Sequence, residues 1–315
     1  MPTRTYMGVD ARRDHSLRVP RPDLNTRFGT PDACTNCHAD RDAQWASAQL
    51  AARFGAPTAQ RGYGGEFAAT LTALRRQAPD AEAALHALLR DPQTPNLVRA
   101  SALAEAGPYL DNGIEALIRE GLGHADPLVR LGALQALDGA PPVRVWPRVA
   151  PLLRDAARSV RIEAARIAGG AENLNAAQRL ALAPAWTEFV AAVRANADRA
   201  EWLSRYAEAL LRRGEVSAAI VELQAARQRD PRFVPALVNL ADAYRLQGRD
   251  DLCEQTLREG LALAPDEAAL HAALGLAFAR RGAPADADRE LARAAELQPD
   301  NGEYRYLHAL SRSGF

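Results

Sequence analysis

Gly214, Gly248 and Gly282 stand 34 residues apart, and so do Pro231, Pro265 and Pro299. A fixed recurrence of this length means that one supersecondary unit is built three times over. Each unit is too small to bury its own apolar face and must stack on its neighbours. Within the frame, the first helix of each unit carries Tyr206-Ala207 and Leu210, Leu240-Ala241 and Tyr244, or Leu274-Gly275 and Phe278. The second carries Ala219, Leu223 and Ala226, then Cys253, Leu257 and Gly260, then Ala287, Leu291 and Ala294. Small residues fall where two helices approach, large ones fill between them, and proline closes the unit. Cys253 occupies a small position and is read as a buried structural thiol. A further helix over 301–311 is expected to cap the stack. Scarce aromatics and abundant Ala, Leu and Arg favour helix throughout, so the chain is expected to be all-α.

Thirty-four is the tetratricopeptide period, and residues 201–315 resemble that family. A weaker repeat precedes them. Leu97-Val98-Arg99-Ala100-Ser101-Ala102-Leu103 is echoed 31 positions on by Leu128-Val129-Arg130-Leu131-Gly132-Ala133-Leu134. Ser159-Val160-Arg161-Ile162-Glu163-Ala164-Ala165 follows after another 31. A Val-Arg doublet opening an Ala/Leu-rich helix resembles HEAT-type pairs, and each Arg is expected to reach the next unit's acid or helix end. Asp126-Pro127 fits a helix start. The sequence therefore divides into a segment 1–54, HEAT-like helical repeats over 55–172, a connecting helix with Trp186 and Phe189 over 173–200, and tetratricopeptide repeats over 201–315. Gly62, Gly64 and Gly65 lie far from any strand–turn–helix motif and are read as a loop.

The segment 1–54 carries the chemistry. Cys34-Thr35-Asn36-Cys37-His38 is the c-type haem attachment pattern, C-x-x-C-H. The spacing lets two thiols form thioethers with vinyls on adjacent pyrroles and carries His38 to the iron as proximal ligand. A thioredoxin-like dithiol would need a βαβ context, and no convincing strand is legible. A structural zinc would need two further ligands. Covalent haem c accounts for all three residues. His15 and Met7 are the nearby candidates for the distal position, with His15 favoured; Met would raise the potential. His86, His124, His271 and His308 lie in the repeats and are read as ordinary surface or half-buried histidines. Residues 1–32 contain Pro20, Pro22 and Pro31 and are expected to be irregular. Before Asp32 the arginines exceed the acids by three and could meet haem propionates. Asp32 is expected to cap a short helix that continues through Trp45, which could pack on the haem edge, to about Phe54.

The run from Tyr6-Met7-Gly8-Val9-Asp10 through Arg12-Arg13-Asp14-His15-Ser16 and Arg18-Val19-Pro20-Arg21-Pro22-Asp23-Leu24 leads into Gly29-Thr30-Pro31-Asp32-Ala33-Cys34. With the repeats behind it, this resembles bacterial multihaem cytochromes c with C-terminal tetratricopeptide repeats. The resemblance implies further haems upstream of Met1-Pro2, a truncated N-terminus, and His15 as ligand to this haem or an upstream one. Haem c is attached outside the bacterial cytoplasm, so a periplasmic location is expected, although the first twenty residues lack the apolar core of a signal peptide. There is no apolar run of transmembrane length. Equal totals of 39 basic and 39 acidic residues argue against a nucleic-acid partner. No residues are arranged for nucleophilic or acid–base catalysis; at most the chain is an electron-transfer part of a multihaem oxidoreductase. The expected function is a c-type cytochrome module on a helical scaffold, working with redox partner proteins and a peptide ligand on the concave face. The alternative is a pure tetratricopeptide/HEAT scaffold with a vestigial haem motif.

Overall fold

The computed structural model describes residues 3–6, 10–13, 20–30, 32, 34–55, 66–110, 113–170 and 174–313, with backbone alone at 3–6, 10–13, 66 and 142–143. His15, Met7, Gly62, Gly64 and Gly65 lie outside the described residues. The chain forms two compact units, 1–136 and 137–315. The division falls inside the stretch that the sequence groups as one HEAT-like array.

The first unit opens with a feature that the sequence does not announce. β1 (Thr3–Tyr6) pairs antiparallel with β2 (Asp10–Arg13), Thr3 opposite Arg13 and Tyr6 opposite Asp10. Threonine and tyrosine, three of the four residues of β1, are types that suit an extended backbone. The segment expected to be irregular also contains α1 (Pro22–Phe28). Its proline sits at the start, where no N–H is needed, and Gly29 ends it at φ +70°. α2 (Ala43–Phe54) follows, then α3 (Glu66–Arg75), α4 (Ala81–Arg90), α5 (Asn96–Ala104), α6 (Glu115–Leu122) and α7 (Pro127–Gln135).

α5 and α7 are the 31-residue echoes, and they pack against each other. Gly132 permits the approach, because a Cβ there would stand 2.1 Å from the Ala100 carbonyl oxygen. The doublet arginines act differently from expectation. Arg99 donates from Nε to Thr94 O at 3.0 Å and from its terminal nitrogens to the carbonyls of Leu89 and Asp91. Arg130 donates to the carbonyls of His124 and Ala125 at 2.7 and 2.8 Å. Each guanidinium thus satisfies carbonyls of the turn before its own helix, groups that have no partner within a helix.

The second unit contains α8 (Pro142–Val149), α9 (Arg158–Gly169), α10 (Ala176–Ala195), α11 (Ala200–Arg212), α12 (Val216–Arg229), α13 (Val234–Leu246), α14 (Asp250–Leu263), α15 (Ala268–Arg280), α16 (Pro284–Leu297) and α17 (Gly302–Ser313). Arg161 repeats the carbonyl contacts, to Asp155 and Ala156, and adds a two-pronged ion pair with Glu188 on α10. That pair is the expected acid contact. On α10, Trp186 and Phe189 cluster with Tyr206 of α11, ring centroids 5.3–6.2 Å apart.

α11–α12, α13–α14 and α15–α16 are the three tetratricopeptide pairs, and α17 packs on α16. Gly214, Gly248 and Gly282 take φ of +74°, +71° and +71° between the paired helices. In each turn the next residue's N–H reaches back five positions: Glu215 to Leu210 O, Arg249 to Tyr244 O, Ala283 to Phe278 O, at 2.9–3.0 Å. This left-handed closure satisfies the last carbonyls of the first helix and turns the chain into the second. Ala207, Ala219, Leu240, Cys253, Leu257, Leu274, Ala287 and Leu291 are all buried. Substitutions should separate the two roles of glycine. Gly248→Ala should cost about 1–2 kcal/mol from the left-handed backbone. Gly132→Val should cost about 3 kcal/mol, because backbone must move to admit the side chain. Urea denaturation followed by circular dichroism checks the order; equal, negligible shifts would contradict it.

Candidate functional site

The C-x-x-C-H residues sit on a single turn. The carboxylate of Asp32 accepts the N–H groups of Cys34 and Thr35 at 2.8 and 3.0 Å and the Thr35 hydroxyl at 3.0 Å. The turn closes with Cys37 N–H and His38 N–H both donating to Cys34 O, at 3.1 and 2.8 Å. The expected single helix through Trp45 is not formed. α2 starts afresh, with Asp42 accepting the Trp45 N–H at 2.7 Å. Two capping aspartates make two separate starts, because each side chain competes with helix continuation by taking N–H groups itself. The break leaves the His38 ring against Trp45, centroids 4.8 Å apart, with the Arg41 guanidinium 5.9 Å from the indole.

Cys34 is half-buried, Cys37 and His38 are exposed, and neither thiol is in a disulfide. Partial burial and the nearby Asp32 charge push the Cys34 thiol up from its ordinary value. Asp32 itself is held low: burial opposes the charge, but the Thr35 and Cys34 donors outweigh it. Two free thiols and an accessible imidazole on one turn are a donor set that fits covalent haem. Among the described residues no group of three His, Cys, Asp or Glu side chains is placed to hold a metal ion, which leaves the zinc reading without its further ligands there. Three histidines of the repeats have local partners: His124 Nδ1 accepts the Asp126 N–H at 3.0 Å, His271 contacts Glu290 and the Pro265 carbonyl at 2.7 and 2.9 Å, and His308 Nε2 lies 3.5 Å from Asp288 Oδ1.

A second constellation lies in the second unit and was not legible in the sequence. Arg166 on α9, 3% exposed, bridges Glu163 Oε1 at 2.8 Å and Asp138 Oδ2 at 2.6 Å. Arg205 reaches Glu163 Oε2 at 2.9 Å, and Arg212 reaches Asp138 Oδ1 at 2.6 Å, both from α11. Burial disfavours the charge on Asp138, but the two arginines outweigh it and hold its carboxyl below the ordinary 3.8. The Glu163–Arg166 pair at i,i+3 was the one local signal; its partners come from other elements.

The first helices of the pairs form a continuous layer, α13 packing on both α11 and α15. Its unpaired face repeats every 34 residues: Arg205, Asn239, Ala273; Glu208, Asp242, Leu276; Arg212, Leu246, Arg280. Asn239 Nδ2 donates to Glu208 Oε1 at 3.0 Å, joining α13 to α11 across that face. The face is most charged on α11, and on α15 Ala273 and Leu276 stand beside Arg280. It belongs to the first helices of stacked repeats, the elements whose packed layer helical-repeat proteins use for binding.

A family profile described as "Tetratricopeptide repeat" matches residues 210–277, from α11 into α15. The TPR repeat-containing protein YpiA of Bacillus subtilis (strain 168) is 31% identical over 113 residues, which cover 35% of this chain and 27% of that protein. The chain thus spans about a quarter of the length of that curated relative. Among solved structures, a thermophilic TPR protein of Thermus thermophilus is 20% identical, covering 63% of this chain and 98% of that one, with a TM-score of 0.40. The first TPR domain of human RPAP3 is 19% identical, covering 38% and 93%, with a TM-score of 0.35. The chain carries tetratricopeptide repeats.

The ionic cluster makes a testable statement about pH. Asp138's depressed pKa contributes stability that is present above about 3.8 and is lost as pH falls through its folded value. Arg166→Met should cost about 3–5 kcal/mol near pH 7, since it breaks a buried pair. The gap from the parent protein should narrow at pH 3, where the parent has lost part of the same contribution. Urea midpoints at the two pH values measure it; a gap unchanged by acid would contradict the assignment.

Proposed function

We propose that the chain is a helical-repeat scaffold whose tetratricopeptide layer docks a protein partner. The observation that carries this reading is the face bridged by Asn239 and Glu208. It is repeated in register over three helices, partly exposed, and carries three charged residues on α11 but one each on α13 and α15. A scaffold needs no reacting groups there, and the hydrogen-bonded and ion-paired side chains on α11 and α13 fix its shape in advance of binding. Proteins co-purifying with the full chain from its native host should be released by Leu276→Glu, which places a charge at an apolar position of that face, while circular dichroism stays unchanged. Retention of the same proteins by that variant would contradict the docking face.

A second reading concerns the first unit. The Asp32-capped turn presents two thiols outside any disulfide and an exposed His38 ring together, and this favours haem c at Cys34, Cys37 and His38. On this reading Cys34 and Cys37 would hold the group by thioethers and His38 would ligate the iron. His15 would serve this haem or an upstream one, and the bound group would supply one-electron transfer to redox partner proteins outside the cytoplasm. The resemblance to multihaem cytochromes c supports the same assignment. Expression in a periplasm with haem-maturation machinery should yield a haem that survives a denaturing gel and is lost in Cys37→Ser. Haem-free protein under those conditions would leave the scaffold reading alone, with the motif vestigial.

A further inference from the structure

A cavity of about 380 Å³ opens at the α11 end of the docking layer, lined by Asp138, Gly139, Glu208, Leu211 and Arg212. We infer that it is a subsite for a basic side chain, Lys or Arg, of the docking partner; this rests on the scaffold reading and names the partner's chemistry at one end of the groove.

Three ionised groups line the cavity, two acidic and one basic. Asp138 is matched on both oxygens, by Arg166 and Arg212 at 2.6 Å each. Arg212 spends its charge there, and its Nε is closed off from a ligand: it is buried where a Cβ on Gly170 would stand 3.0 Å away. Glu208 differs. Its Oε1 accepts only the neutral Asn239 amide, and Oε2 has no partner among the described residues. Among the described residues, the lining is left with one carboxylate that no cation meets at ion-pair distance. Such a group lowers its free energy by meeting a charged donor, and charge-assisted bonds of this kind are the strong ones.

The rest of the wall suits a long stem. Leu211, three residues after Glu208, lies on the same side of α11 and offers aliphatic surface beside the carboxylate. Lys and Arg combine an apolar stem with a charged head in this order. One turn before Glu208 stands Ser204, 1% exposed, whose hydroxyl has no hydrogen-bond partner. Farther along the layer the equivalents of Glu208 become Asp242 and then Leu276. The partner segment is therefore oriented, with its basic residue at α11 and an apolar residue over Leu276 on α15.

The test titrates the full chain with three probes: Nα-acetyl-lysine methylamide and its norleucine and glutamate counterparts. Backbone amide resonances of Gly139, Glu208 and Leu211 are followed by NMR. The lysine probe should give saturable shifts at these positions. The norleucine probe should bind at least roughly tenfold more weakly and the glutamate probe not at all, since a charge-assisted bond is about twice as strong as a neutral one. Glu208→Gln, which keeps the oxygen facing Asn239, should weaken the lysine probe by a similar factor. No saturable shift with lysine, equal binding of norleucine or glutamate, or an unchanged Glu208→Gln variant would each overturn the subsite. None of those results touches the scaffold reading, which is decided by release of partners from Leu276→Glu.

Discussion

The second unit depends on short side chains held at fixed helix crossings. Ala207, Ala241 and Gly275 recur every 34 residues on the first helices, and Ala219, Cys253 and Ala287 on the second. At Gly275 a Cβ would come within 2.7 Å of Leu291, so the two helices of that pair already stand as close as a glycine allows. Close approach lets each large residue, such as Leu223, Leu257 or Leu291, fill the space between the helices at native packing density. The left-handed turns at Gly214, Gly248 and Gly282 repeat one turn conformation three times, with φ of +71° to +74°. The first helices pack in a single layer, and that layer is the proposed docking face.

Polar contacts set the shape of that layer at its α11 end. Arg166, Glu163, Asp138, Arg205 and Arg212 tie α11 to α9 and to the loop before α8 through bonds of 2.6–2.9 Å. A buried ionic cluster is a poor source of net stability, because desolvation offsets much of its attraction. Its effect here is geometric. It fixes the orientation of Arg212 and leaves Glu208, four residues earlier, as the cavity-lining acid that, among the described residues, no cation meets at ion-pair distance. Structure and recognition chemistry therefore meet on one helix.

The repeats were legible because their information is local and periodic. Glycine, proline and small residues at a constant spacing report backbone angle and helix approach directly, and Cys253, 2% exposed, lies where that spacing put it. The ionic cluster was not legible, since Asp138 lies 25 residues from Glu163 and Arg205 lies 42 beyond it, and no sequence pattern encodes that meeting. The doublet arginines were legible as structural, and Arg161 meets an acid as expected, but the carbonyls of the preceding turn that all three contact are invisible in side-chain patterns. Around Cys34 the motif was plain, whereas Asp42, a second capping aspartate, breaks the helix that the spacing from His38 to Trp45 suggests. The N-terminal ribbon was hidden for a similar reason: four-residue strands carry too little alternation to stand out among arginines and prolines.

A partner sits on the first-helix layer, and not on the outer helices, if this physical picture holds. A photo-crosslinking phenylalanine analogue replacing Leu276 on α15 reports on the layer. The same analogue replacing Val221, 62% exposed on α12, reports on an outer helix. After irradiation of cells of the native host, a discrete crosslinked protein is expected from position 276 and none from position 221. Crosslinks confined to position 221 would contradict the docking layer.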